Sequence, residues 1–217
     1  MPGKLIIRFH RDDGGAVFVE ATASILVFFS LVFGVVEFSY IFYQWNAAAK
    51  AMERGARLAA VSNPVASNLK SLTGLEPGTN IPGETMPSFA CACSGSTETC
   101  TGTVPLNATA CTYDNAAMLT IFLGRGNNGT DCVSGPETGM CGYLPGLEKS
   151  NLVISYQYTG LGYAGRKSGP VPTITISLVN YSYDFLFLKG LAGLTSVTLP
   201  ATATVTVTGE DLNAGSS

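Results

Sequence analysis

With 217 residues, the chain is long enough for one ordinary domain and a membrane element, and too short for a large multidomain enzyme. Its 46% apolar and 12% charged content argues against disorder and toward membrane or extracellular life, and a net charge of -3 lacks the basic footprint of a nucleic-acid binder. The single histidine, His10, lies at the amino terminus, which excludes mechanisms that need an imidazole base or ligand in the body of the protein.

Residues 1–15 carry Lys4, Arg8 and Arg11 against Asp12 and Asp13. From Ala16 to Tyr43 the composition turns apolar, with Glu20 and Glu37 as the only charges. At about 1.5 Å per residue, some 20 helical residues cross a hydrocarbon core of about 30 Å, so residues 16–43 read as one transmembrane helix. Basic residues before it, with no comparable cluster directly after, imply a cytoplasmic amino terminus and an exported body. No second run of spanning length follows.

An ionised carboxylate within a bilayer is costly unless it reaches water or finds a partner. Glu20 has two readings. In one it sits at the cytoplasmic headgroup level; in the other, cleavage between Gly15 and Ala16 makes it the fifth residue of a mature chain that begins AVFVE. Glu37, 17 residues on, stands about 25 Å further along the axis. That puts it at the outer interface, where Tyr40, Tyr43 and Trp45 suit the headgroup level.

A short basic leader ending in glycine, an apolar helix and a glutamate at mature position five resemble the class III signal of type IV pilins and pseudopilins. Together with FGVVEFSY at residues 33–40 and AKAMERGARLAAV at residues 49–61, the segment Gly15–Glu20 resembles the TadE/TadG-like minor pilins of tight-adherence (Tad) pili. The resemblance covers about the first 60 residues well and the carboxy-terminal strands weakly, and the Cys-rich middle departs from it. It implies processing by a prepilin peptidase at Gly15 and Ala16, pairing of Glu20 with the free amine of a neighbouring subunit, and a part for Glu37 in helix pairing. Other pilin subunits and a pilus assembly platform are the implied partners. The implied location is the bacterial inner membrane before assembly and an extracellular pilus after it, where the fimbrium serves adhesion.

From Gln44 the helix continues to Ser62, close to 70 Å in all, as an Ala-rich stalk. Glu53 and Arg57 form an i,i+4 pair, and Pro64 is a stop. Residues 63–150 read as a loop-rich lobe, punctuated by Pro64, Pro77, Gly78, Pro82 and Gly83 and stabilised by disulfides. Cys91, Cys93, Cys100, Cys111, Cys132 and Cys141 are an even set in an exported segment, which implies three bridges among fifteen possible pairings. Strand neighbours two apart are separated by about 6.6 Å, so Cys91 and Cys93 are expected to take different partners. Paired CxxC knuckles are absent, so no metal is assigned, and no cofactor; a catalytic thiol would lack an imidazole to activate it.

Gly124 to Gly129 matches GxGxxG, but no helix pattern follows it, as dinucleotide binding requires. It reads instead as a turn after a short helix over residues 114–123 that Gly124 terminates. Residues 151–217 read as antiparallel β, with strands at Leu152–Tyr158, Thr173–Val179, Tyr181–Leu188 and, by strict alternation, Val197–Thr208. Pro200 belongs at an edge or bulge, and Gly190 and Gly193 turn the chain between the last two strands. The small sheet is expected to pack on the stalk helix or on the disulfide lobe. Sequons at Asn107, Asn128 and Asn180 carry little information.

The expected fold is α+β: a long amino-terminal transmembrane and stalk helix followed by a small disulfide-rich antiparallel domain. A minor pilin without enzymatic activity or nucleic-acid binding is the leading reading. A single-pass, signal-anchored adhesin or receptor is the runner-up. Scattered carboxylates single out no acid–base pair for catalysis, which puts an enzyme third.

Overall fold

The computed structural model describes residues 13–75, 81–104, 109–166, 169–187, 189, 196–198 and 204–209. His10 and most of the leader therefore lie outside the described residues, as do Pro77, Gly78, Asn107, Gly190, Gly193 and Pro200. Two compact units are present, one of residues 1–43 with 184–196 and one of residues 44–183 with 197–217.

Helix α1, Asp13–Ala60, has 48 residues and belongs to both units. It ends where Val61 and Ser62 turn ahead of Pro64, close to the stop that the proline signals. Its second half buries a stripe of Gln44, Ala47, Ala48, Ala51, Met52, Gly55, Ala56 and Ala59, at the i, i+3, i+4 spacing of one helix face. Small side chains on that stripe let the backbone approach the body closely. At Gly55 a Cβ would run into the Met140 side chain and lie 3.1 Å from Ile176 Cδ1. Arg54, beside the stripe, donates from Nε to the Thr138 carbonyl at 2.8 Å and from Nη2 to the Pro136 carbonyl at 2.5 Å.

The body is built on a six-stranded antiparallel sheet of β1 Ala90–Ser94, β2 Thr99–Val104, β3 Thr109–Ala110, β4 Leu152–Gln157, β5 Thr173–Leu178 and β8 Thr204–Thr208, in the order β3-β2-β1-β4-β5-β8. Register aligns apolar side chains across it: Cys93, Ile154, Ile176 and Val205 form one row, and Cys91, Tyr156, Ile174 and Val207 the next. The neighbouring row of Ala92, Ser155, Thr175 and Thr206 faces the other way, so a slip of one residue would expose the whole core face. Ile154, Ile174, Ile176 and Tyr156 are fully buried, a burial that contributes about 1.5–3 kcal/mol for each large apolar side chain. The core cluster joins these residues to the buried stripe of α1, as expected for a sheet packed on the stalk helix.

Helix α2, Asn115–Leu123, is capped by Asp114, whose carboxylate accepts from the N–H groups of Ala116 and Ala117. It stops at Gly124, whose φ of +117° is open to glycine at little cost. The GxGxxG segment is a turn: no α-helix starts at its end, Asn127 accepts from the Gly129 N–H within it, and Asn128 accepts from the Asp131 N–H just beyond it.

Three expectations need correction. The Cys-rich middle, read as a loop-rich lobe and given no strand of its own, contributes β1 and β2, because Cys91 and Cys93 alternate onto the buried face and Cys93 is directly opposite Cys100. Strand Tyr181–Leu188 shortens to β6, Ser182–Asp184, since the N–H groups of Leu186 and Phe187 are taken by a carboxylate of α1. The single strand Val197–Thr208 is two: β7, Ser196–Thr198, pairs with β6 in a separate two-stranded sheet, and β8 pairs with β5. Pro200, between them, has no N–H to give to a ladder.

Candidate functional site

The first half of α1 is an apolar surface with almost nothing on it. Val17, Phe18, Val19, Leu26, Val27, Phe28, Leu31 and Phe38 are among its exposed side chains, and its most apolar 18-residue window has a mean hydropathy of 2.3. Among the described residues this is one helix long and apolar enough to cross a membrane.

Its serine and threonine hydroxyls are satisfied from within. Thr22 donates to the carbonyls of Phe18 and Val19 at 2.8 and 2.9 Å, Ser24 to Glu20 at 2.9 Å, Ser30 to Val27 at 2.9 Å and Ser39 to Val35 at 2.8 Å. Every serine and threonine hydroxyl of residues 16–43 thus bonds the helix's own backbone, which is the condition for placing it in hydrocarbon.

Gly15 and Ala16 lie in the first turns of α1 and are exposed, and a Cβ built on Gly15 meets nothing within 4 Å. Glu20 is exposed on the same helix, and among the described residues no hydrogen bond or ion pair holds its carboxylate. Glu37 is its opposite. It is 1% exposed, with Oε1 accepting from the Leu186 N–H at 2.7 Å and Oε2 from the Phe187 N–H at 2.8 Å. Both oxygens of this carboxylate are therefore engaged by its own chain, 149 and 150 residues away in sequence. Phe187 also stacks on Phe33, with ring centroids 4.9 Å apart and planes at 22°.

Sequence reasoning placed Glu20 and Glu37 in one class, and the geometry separates them. It missed Leu186 and Phe187 as the partners of Glu37. The available signal was a second apolar run, Phe185 to Leu188, taken for a strand. Tyr43 and Trp45, assigned to an interfacial belt, are exposed, and Tyr40 is half-buried.

The six cysteines form three bridges: Cys91 with Cys111, Cys93 with Cys100 and Cys132 with Cys141. Cys91 and Cys93 thus take different partners, as their spacing requires. Among the described residues no group of histidine, cysteine and carboxylate side chains has the arrangement of a metal site. A cavity of about 540 Å³ beside α2 is lined by Val61, Ser62, Asn63, Asp114, Thr120 and Arg125 among others. Its carboxylate caps α2, and its guanidinium donates to the Val61 carbonyl at 3.0 Å.

The chain is thus an α+β protein with a disulfide-bridged antiparallel body and an amino-terminal helix of membrane-anchoring character. Residues 15–57 match the family model described as TadE-like protein. The match takes in Gly15, Glu20, Glu37 and the buried stripe as far as Ala56, and it bears out the TadE-like resemblance read from the sequence. No curated protein and no solved structure matches the chain.

Proposed function

We propose that the protein is a TadE-like minor pilin, or pseudopilin, of a Tad (type IVc) pilus, a structural subunit that acts in assembly, priming or the tip of the fibre. The observation that carries this reading is the TadE-like match over residues 15–57, which covers the apolar exposed helix with a carboxylate five residues beyond Gly15. Before assembly, residues 16–43 hold the chain in the bacterial inner membrane, with the amino terminus cytoplasmic and the body exported. A prepilin peptidase cuts between Gly15 and Ala16. Because both residues lie in α1, the peptide must unwind at that end to enter an active site, and among the described residues nothing packs against Gly15.

The new cationic amine then faces the Glu20 carboxylate of a neighbouring subunit in a bundle of apolar helices. An exposed carboxylate with no partner among the described residues suits such a role. A buried ion pair of this kind fixes axial register, and losing one partner costs about 3–5 kcal/mol even where the pair adds little net stability. Other pilins and the assembly platform are the partners.

Amino-terminal sequencing of the mature chain is the decisive experiment. A start at Ala16, lost in the Gly15→Asp variant, supports the reading. An intact Met1 turns it toward a signal-anchored adhesin or receptor. Glu20→Ala is expected to insert in the membrane at wild-type levels and to reduce piliation, and wild-type pilus numbers would remove the pairing role.

A further inference from the structure

Glu37 and the segment that binds it make a contact within one chain, beyond the helix pairing that the pilin reading gives this residue. The residues are Phe185, Leu186 and Phe187, apolar throughout. Non-helical backbone cannot lie in hydrocarbon with its N–H groups bare. Here the N–H groups of Leu186 and Phe187 are both spent on Glu37, and both oxygens of Glu37 are spent on them. Two amide donors and the two oxygens of one carboxylate thereby satisfy one another's hydrogen-bonding capacity.

The depth is set by Phe33. It lies four residues, about 6 Å, to the amino-terminal side of Glu37, and Phe187 stacks on it. Phe33 in turn stacks on Phe29, with centroids 5.9 Å apart. In the span read over residues 16–43, Glu37 and the ring of Phe187 beside Phe33 fall in the carboxy-terminal half, toward the outer interface. Leu186 is 53% and Phe187 42% exposed, and the ring stacks carry the apolar surface on from Phe187 to Phe33 and Phe29.

We infer that Leu186 and Phe187 are a second membrane contact, covered by lipid acyl chains of the leaflet at the carboxy-terminal end of the span, with Glu37 as the residue that positions them. The choice of lipid rests on continuity with the lipid-facing surface of α1 and so on the reading of residues 16–43 as a membrane span. The contact gives the chain two insertion points in one leaflet, the helix and the segment clamped to it.

The test uses the full chain in a Trp45→Phe background, reconstituted at about one chain per vesicle in phosphatidylcholine, either plain or brominated on its acyl chains. A Phe187→Trp reporter is expected to lose at least half its emission in the brominated bilayer, as does a Phe29→Trp reporter. Adding Glu37→Leu, which removes both acceptors and keeps a good helix former, should at least halve the quenching of the Phe187→Trp reporter and leave that of Phe29→Trp unchanged. Quenching at position 29 without quenching at position 187 overturns the contact while the span stands. Shielding of position 187 that appears only as protein density rises gives the patch to a second copy and overturns it likewise. Quenching unaltered by Glu37→Leu overturns the positioning role, and quenching at neither position overturns the span together with the contact.

Discussion

Tyr156 is fully buried in the sheet, and its hydroxyl accepts the N–H of Val65 at 2.9 Å. Tyr156→Phe leaves that amide buried without a partner, which is expected to cost about 1–3 kcal/mol, read from the urea midpoint of the detergent-solubilised chain. Burial also pushes the Tyr156 phenol well above its ordinary value. Tyr113 is pushed up to about 12 by burial, helped by the charges of Glu98 and Asp114, and Tyr183 to about 12 by burial and Tyr181. An unfolded tyrosine ionises near pH 10. Between pH 10 and 12 the unfolded chain has therefore released protons that the folded chain keeps, and rising pH favours unfolding. Stability should be level below about pH 10 and fall from there to pH 12, less steeply in Tyr156→Phe; a midpoint flat to pH 12 would contradict this.

At the scale of the elements, the close approach of α1 to the sheet depends on Gly55. Gly55→Val sets a branched side chain against Met140 and Ile176 and is expected to cost about 1–3 kcal/mol, seen as a lower denaturation midpoint. The bridges differ in access. Cys91, Cys93 and Cys111 are buried, whereas Cys132 is exposed and Cys141 half-buried. A mild reductant should open Cys132–Cys141 first, and differential alkylation followed by peptide mass spectrometry would reveal a different order.

These elements were unequally legible. Periodicity and stop signals place α1, α2, β4 and β5 within a few residues, because their patterns are local: an apolar run, a capping Asp114, a Gly124, alternating isoleucines. In β1 and β2 the alternation is carried by cysteine, threonine and glycine, and pairing across the strands, closed by the Cys93–Cys100 bridge, stands in for β propensity. The truncation of the strand after Asp184 was out of reach of any window, since the acceptor for its amides is a residue about 150 positions earlier. The same holds for the candidate site. Gly15, Ala16 and Glu20 are a contiguous pattern, whereas the engagement of Glu37 exists only in three dimensions.

For the whole molecule, the proposed topology makes a biochemical forecast. The chain should stay with the membrane after an alkaline carbonate wash, and protease added to intact spheroplasts should remove the disulfide-bridged body and spare the span. Protection of the body in intact spheroplasts, with digestion only after lysis, would reverse the assigned orientation.

The core of the body draws on residues from Ala47 of α1 to Val207 of β8, so one packed cluster gathers residues about 160 positions apart in sequence. A chain that has not yet delivered β5 leaves Ile154 and Tyr156 without their neighbours Ile176 and Ile174. Closure of the packed layer therefore waits on β5: protease resistance of the body is expected to appear only in chains that include Ile174 and Ile176.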